Sequence, residues 1–509
     1  MITLTGERVT IDLVCQVAYQ NTQVKMGEKA RQKMNESYQY ISGRVAAGEV
    51  IYGVNTGFGA FSNIRINNED IAQLQKNLIR THCCGVGEPF SRAETRAIMF
   101  LRANALATGH SGIRDLVVEK ILEFLNKDVI PVIPQQGSVG ASGDLAPLAH
   151  LALCLIGEGE AWEGDRRVEV SQLLQKKKLQ PLELQAKEGL ALINGCQVMT
   201  AVGLLNSYEA RRLMWMTDVA GAMSLEALFG SRKAFDPLIS AVRPHPGEAE
   251  TARNILKLVG PTSEIAKSHE NCDRVQDAYS LRCMPAVHGA AKNALRQCFK
   301  TLEIEANSST DNPLVFAEDK KILSGGNFHG EPVAFALDFM AIAMSAMASI
   351  SECRIEKMIN PSMSGLPAFL SPNGGLNSGH MIVQVSAASL VSENKILSHP
   401  ASVDSIPTSA DKEDHVSMGT IAARKLGQIV RNAENIVAME FLCACQALDL
   451  HRPNRPVGGV LAVHQLIRQA VPFAQEDRVF SRDIEAIKDL IRANEILNVV
   501  KESVGELEW

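Results

Sequence analysis

Apolar residues recur every three or four positions along much of the chain. From Leu426 they fall at Ile429, Val430, Ala433, Val437, Phe441 and Ala444, with Arg431, Glu434 and Asn435 between them. That is the spacing of one buried helix face, and it predicts a helix of about seven turns ending near Pro453, whose ring cannot continue it. Similar patterns predict helices from about Cys196 to Phe229, Glu331 to Lys357 and Asp144 to Ile156. Strand alternation is rare: Thr3 to Asp12 predicts a hairpin and Val50 to Val54 a short strand. The apolar run Phe339 to Ile350 lies between Asp338 and Glu352. It is shorter than the roughly 20 residues that span a bilayer, so it reads as a buried helix. Glycine, proline and charge gather at 157–181 and 244–268, the expected surface excursions or subdomain seams. No internal repeat or low-complexity segment stands out.

What precedes the helices carries the chemistry. Ser142-Gly143 precedes the Asp144 helix, which tolerates Pro147 in its first turn, and Asn194-Gly195 precedes the second. Asn327-Phe328-His329-Gly330 leads into the third, again with a first-turn proline, Pro332; Glu413-Asp414-His415 stands before Ser417, a candidate N-cap of the fourth. If these helices are neighbours, their positive N-terminal ends meet at one anion-friendly pocket. If they are not, the same residues are ordinary caps.

Composition narrows the class. The 509 residues are 46% hydrophobic, 21% charged and 5% aromatic, a globular balance. A formal charge of −6, with no like-charge block longer than Lys176-Lys177-Lys178, speaks against nucleic acid or an anionic membrane as partner. The 11 cysteines form no CxxC, and the first residues lack a basic segment followed by an apolar one. Buried thiols in a cytoplasmic protein are expected, without structural zinc or disulfides.

The segment Gly137 to Asp144 reads GSVGASGD. It lacks the Lys-Ser/Thr of a phosphate loop, and Ser142 has glycine at minus two and plus one rather than at plus and minus two, so it is not a nucleophile elbow. A tight loop capped by Ser142 or Asp144 is one reading. The other is backbone chemistry: the Gly143 nitrogen attacks the Ala141 carbonyl, and loss of water from ring and serine leaves an electron-poor alkene. Gly143 permits that contortion because it has no side chain. A metal site from His82, His329, Glu413, Asp414 and His415 finds no HExxH or comparable spacing, and none is expected. An intact Ala-Ser-Gly beside Tyr52 argues against an inert helical scaffold.

Gly140-Ala-Ser-Gly-Asp-Leu-Ala-Pro147, with Tyr52-Gly-Val-Asn-Thr-Gly-Phe-Gly59, Asn194-Gly195, Tyr279-Ser-Leu-Arg282 and Gly326-Asn-Phe-His329, strongly resembles the aromatic amino acid ammonia-lyase and aminomutase family. The resemblance runs from about Thr3 to beyond Arg452. It implies a mainly α fold: a smaller α+β N-terminal portion, 1–200, carrying the Ala141 and Tyr52 loops, and a long-helix bundle, 201–509. It also implies a homotetramer with active sites built from several subunits. The family's electrophile, 4-methylidene-imidazol-5-one (MIO), would form from Ala141, Ser142 and Gly143, with no external cofactor. Tyr52 matches the base that takes the β-proton, Asn194 and Tyr279 the residues that position substrate and MIO, and Arg282 the carboxylate clamp, a role its planar fork suits. Gln276 joins that set, and Phe328 matches a packing residue beside the electrophile.

Substrate choice rests on Thr81-His82, which stands where histidine-specific members carry Ser-His, and on Glu413-Asp414-His415, which resembles their Glu-Asp-His run. Phenylalanine and tyrosine lyases usually have Gln at the Glu413 position. A carboxylate accepts a charge-assisted hydrogen bond from imidazole, worth roughly 1.5 to 3 kcal/mol. The expected reaction is therefore deamination of L-histidine to urocanate and ammonia, the alternatives being a tyrosine or phenylalanine lyase or an aminomutase. Lys412, where Gln usually stands, and Cys83-Cys84, where small residues usually stand, depart from the pattern.

Overall fold

The computed structural model describes every residue except 58, 62, 262 and 270–274. The fold is mainly α, with two compact units interleaved along the chain. One comprises Met1–Tyr208, Cys298–Asp338 and Pro400–Arg424; the other comprises Glu209–Gln297, Phe339–His399 and Lys425–Trp509. A single break is expected at 200; here the first continuous segment ends at Tyr208. Beyond it the first unit also takes up two later segments, because the long helices Gln197–Ala227, Met284–Ala306, Glu331–Ile359 and Gly419–Leu450 each contribute residues to both units.

All the strands among the described residues belong to the first unit. Ile2–Leu4 pairs in parallel with Val24–Met26, Val86–Pro89 with Pro134–Gln136 antiparallel, and Glu160–Glu163 lies between Ile130–Pro131 and Arg166–Glu169. Leu314–Phe316 and Lys321–Leu323 form a further antiparallel pair. The hairpin expected over Thr3 to Asp12 is absent: the Thr10 hydroxyl accepts from Leu13 N and caps the helix Ile11–Tyr19. That cap and Asp12 in the first turn favour a helix start over a returning strand. The strand expected over Val50 to Val54 is absent as well. Asn55 closes this stretch as a turn, accepting from Ile51 N at 2.8 Å and donating to Glu49 O at 2.8 Å.

The long helices follow their apolar repeats. Leu426, Ile429, Ala433, Val437, Phe441 and Ala444 are all fully buried in Gly419–Leu450. The Phe339 run lies within Glu331–Ile359, long and apolar enough by length and composition alone to cross a membrane, though 56% of its most apolar stretch is buried inside the protein. It is not the fully buried helix its composition suggested: Phe335, Phe339 and Ile342 are 57%, 51% and 48% exposed. The segment 157–181 holds the hairpin strands Glu160–Glu163 and Arg166–Glu169 and the helix Val170–Lys177, and 244–268 holds the helices Pro246–Val259 and Glu264–Ser268. Within the second unit, Arg354 and Glu440 form a fully buried ion pair.

Candidate functional site

Gly143 has φ 76°, and a Cβ there would lie 2.2 Å from the Gly195 carbonyl oxygen. Only glycine fits, because both the backbone conformation and the contact exclude a side chain. Asp144 N donates to the same Gly195 oxygen at 2.7 Å. The Asp144 side chain does not cap its own helix, Leu145–Leu155. One carboxylate oxygen instead accepts from Val198 N and Met199 N, both at 2.9 Å, in the first turn of Gln197–Ala227. The other accepts from the hydroxyls of Thr420, at 2.5 Å, and Ser138, at 3.0 Å.

The remaining helix starts close on the same loop. The Ser417 hydroxyl donates to Gly140 O at 3.1 Å and accepts from Gly419 N at 3.3 Å, so it holds the first N–H of the fourth helix from one residue ahead of Met418, whose carbonyl takes the first helical bond. Met418 N donates to Val139 O at 2.9 Å and Gly330 N to Gly140 O at 3.4 Å. Four helix N-termini therefore meet around residues 138–144, the first of the two arrangements that the capping pattern allowed. Asp144 is fully buried; burial raises its pKa, against the lowering effect of its bonds to Thr420, Met199, Ser138 and Val198.

In front of the loop lies a cavity of about 150 Å³ whose lining includes Tyr52, His82, Ser142, Asn194, Phe328 and Glu413. Ala141 and Gly143 flank Ser142 in the loop itself. The Tyr52 hydroxyl accepts from Gly59 N at 3.4 Å; Phe58 of the same motif lies outside the described residues. Asn194 Nδ2 donates to Ser142 O at 2.8 Å, while its Oδ1 is buried without a hydrogen-bond partner. Phe328 O accepts from the Cys196 thiol at 3.0 Å. His82, the last residue of the helix Ile71–His82, holds its Nδ1 2.8 Å from Leu78 O. That contact makes Nδ1 the donor and leaves Nε2 an acceptor. Burial lowers the His82 pKa, only partly opposed by Leu78 O and the Glu413 charge, so the ring stays neutral.

Glu413 divides its two oxygens. One accepts from Thr408 Oγ1 at 3.0 Å and Ser409 Oγ at 2.8 Å. The other accepts from the Ser142 hydroxyl. An adjoining cavity of about 570 Å³ shares Gly59, Leu78, His82 and Ser409 with the first.

Gln276, Tyr279 and Arg282 belong to the second unit and form a cluster of their own. Arg282 Nη2 donates to Gln276 Oε1 at 2.9 Å, and its guanidinium lies 4.5 Å from the centre of the Tyr279 ring, which is 70% exposed. None of the three lines the 150 Å³ cavity. Lys412 is exposed beside Glu413. Cys83 is pushed up to about 12 by burial, and Cys84 is exposed.

Of the residues weighed as metal ligands, His329 and His415 come together with Glu331, their ligand atoms within 4.8 Å of one another. Residues that the sequence did not single out also surround the site. Asn312, Leu190 and Ile193 line the cavity, and Thr408 and Ser409 hold Glu413. Glu305, pushed up to about 7 by burial, lies against the Cys196 thiol. Two hydroxyl residues just upstream of a candidate carboxylate were a readable signal for Thr408 and Ser409. Glu305 gave none, because only the fold brings it to Cys196.

The chain matches the family model described as aromatic amino acid lyase over residues 9–469. It is 50% identical over 505 residues to the histidine ammonia-lyase of Myxococcus xanthus, covering 99% of both chains. Among solved structures it resembles histidine ammonia-lyase from Trypanosoma cruzi, with TM-score 0.92, 42% identity, and 98% of this chain and 95% of that chain covered. It also resembles tyrosine aminomutase from Streptomyces globisporus, with TM-score 0.94, 37% identity and both chains covered in full. Together with the Ala-Ser-Gly loop at the meeting of four helix ends, these likenesses place the chain in the aromatic amino acid lyase family.

Proposed function

We propose that this enzyme deaminates L-histidine without oxidation, giving trans-urocanate and ammonia in histidine catabolism, through an MIO group formed from Ala141, Ser142 and Gly143. The observation that carries the reading is Glu413, a carboxylate in the cavity beside Ser142, in a chain about half identical to proteins named for histidine. The loop fits the group: Gly143 has no room for a Cβ, Asn194 holds the Ser142 carbonyl, and the Asn194 Oδ1 is left without a partner.

The mature group supplies an electron-poor alkene that makes the substrate amine a competent leaving group. Tyr52 takes the β-proton, which is weakly acidic and needs a base at close range. Glu413 accepts the imidazole N–H, and His82 presents its neutral ring across the same cavity. The converging helix ends stabilise negative charge arising at the loop. Arg282, steadied by Gln276, clamps the substrate carboxylate with Tyr279 beside it. In the homotetramer we infer, these three come to the cavity from another copy of the chain. We also read the enzyme as cytoplasmic.

Separate incubations with histidine, tyrosine and phenylalanine, followed by ultraviolet absorbance, test the assignment. Urocanate should appear from histidine, with little alkenoate from the other two. A β-amino acid product would make the enzyme an aminomutase, and preferential turnover of tyrosine or phenylalanine would remove Glu413 as an imidazole acceptor.

A further inference from the structure

One oxygen of Glu413, a residue lining the cavity, bonds the Ser142 hydroxyl, the group that must leave if the loop matures as proposed above. Substrate and hydroxyl therefore compete for the same atom, and the hydroxyl holds it first. The partner oxygen is fixed by Thr408 and Ser409, so the carboxylate is oriented toward Ser142 before any substrate arrives. Asn194 holds the Ser142 carbonyl at 2.8 Å, which fixes the residue from its other end.

We propose that Glu413 catalyses the dehydration of Ser142, a role in building the active site that precedes its role in reading the substrate. The inference rests on the MIO reading. In the first step the Gly143 nitrogen bonds to the Ala141 carbonyl carbon, and the Ala141 oxygen leaves as water with the amide protons of Gly143 and Ser142. In the second, the Ser142 Cα–H bond breaks and its electron pair becomes the Cα=Cβ double bond. The Cβ–Oγ bond breaks with its pair going to oxygen, which needs one proton to depart as water. Glu413 takes the proton from Cα and delivers it to Oγ, ending in the charge state in which it began. No oxidant, metal or outside acid enters the balance. Once the hydroxyl is gone, the same carboxylate oxygen is released to accept the substrate imidazole.

The test follows intact and peptide mass with time after a pulse of expression, in wild type and in Glu413→Ala and Glu413→Gln. Wild type should lose two waters. Glu413→Ala should close the ring and stall one water short, converting further about 10²-fold more slowly, as expected when a positioned acid–base group is removed. Added formate should speed that conversion, which a merely structural role for Glu413 would not allow. Glu413→Gln, closest in shape, should fold as wild type and also accumulate the species one water short. Loss of both waters at the wild-type rate in the two variants overturns the proposal. Wild type that is active at its full sequence mass overturns the MIO reading itself, and this role with it.

Discussion

Glu413 has two oxygens with different partners, the Ser142 hydroxyl on one and the Thr408 and Ser409 hydroxyls on the other. Once the loop is mature, Glu413→Gln should lower kcat/KM for histidine about tenfold to several hundredfold, the worth of one charge-assisted bond. Phenylalanine and tyrosine turnover should hold or rise, because no buried charge then opposes an apolar ring. Equal losses on all three substrates in steady-state assays would assign the residue to common chemistry. Tyr52→Phe should leave KM within a few-fold while kcat falls by about 10² to 10⁴; near-normal turnover would mean another group takes the proton. In the second unit, buried His380 lies tilted against Phe480, ring centres 4.6 Å apart, with neither ring nitrogen hydrogen-bonded, and burial pushes its pKa down to about 4. The unfolded chain binds this proton first, so stability falls as pH drops from about 6.5 to about 4 and levels off below. His380→Phe should remove about 3 kcal/mol of that acid-side loss, read as a smaller drop in Tm between pH 7 and pH 4.

At the scale of elements, the Asp144 carboxylate ties the Gln197 helix and Thr420 to the loop. Thr420→Val should cost about 1 to 2 kcal/mol, whereas Asp144→Ala leaves two buried amides unpartnered and should cost more. Urea unfolding gives both numbers, and equal losses would mean the amides find other partners. The long helices were legible because a buried face repeats in the sequence itself, and the Ser417 hydroxyl at the start of the fourth because its type and place are local. Asp144 was not legible in its real role: as a residue opening a helix it reads as that helix's cap, and only packing shows that it serves a neighbour. The Thr3 to Asp12 error has a similar source. Alternating polarity there comes from a strand and a helix N-terminus set side by side, and the true partner of Ile2–Leu4 is Val24–Met26.

For the whole molecule, Tyr52, His82, Ser142, Asn194, Phe328 and Glu413 were named from sequence motifs and lie around one cavity. Gln276, Tyr279 and Arg282 were named the same way, yet sequence order alone does not say which copy of the chain they serve. Exposed Phe335, Phe339 and Ile342 along one helix mark a surface that a homotetramer would cover. Phe339→Glu should shift the protein to a smaller species in size-exclusion chromatography with light scattering and lower activity with it. An unchanged mass would place the interface elsewhere.

The loop around Ser142 is held by residues as late in the chain as Ser417 and Thr420. Asn194 and Gly195 can hold the loop early, but a ribosome must finish more than four-fifths of the polypeptide before Ser417 and Thr420 complete its grip. On the proposed chemistry, nascent and truncated chains remain inert peptides. The alkene, a hazard to any free amine or thiol nearby, arises only inside a chain that has already folded around it.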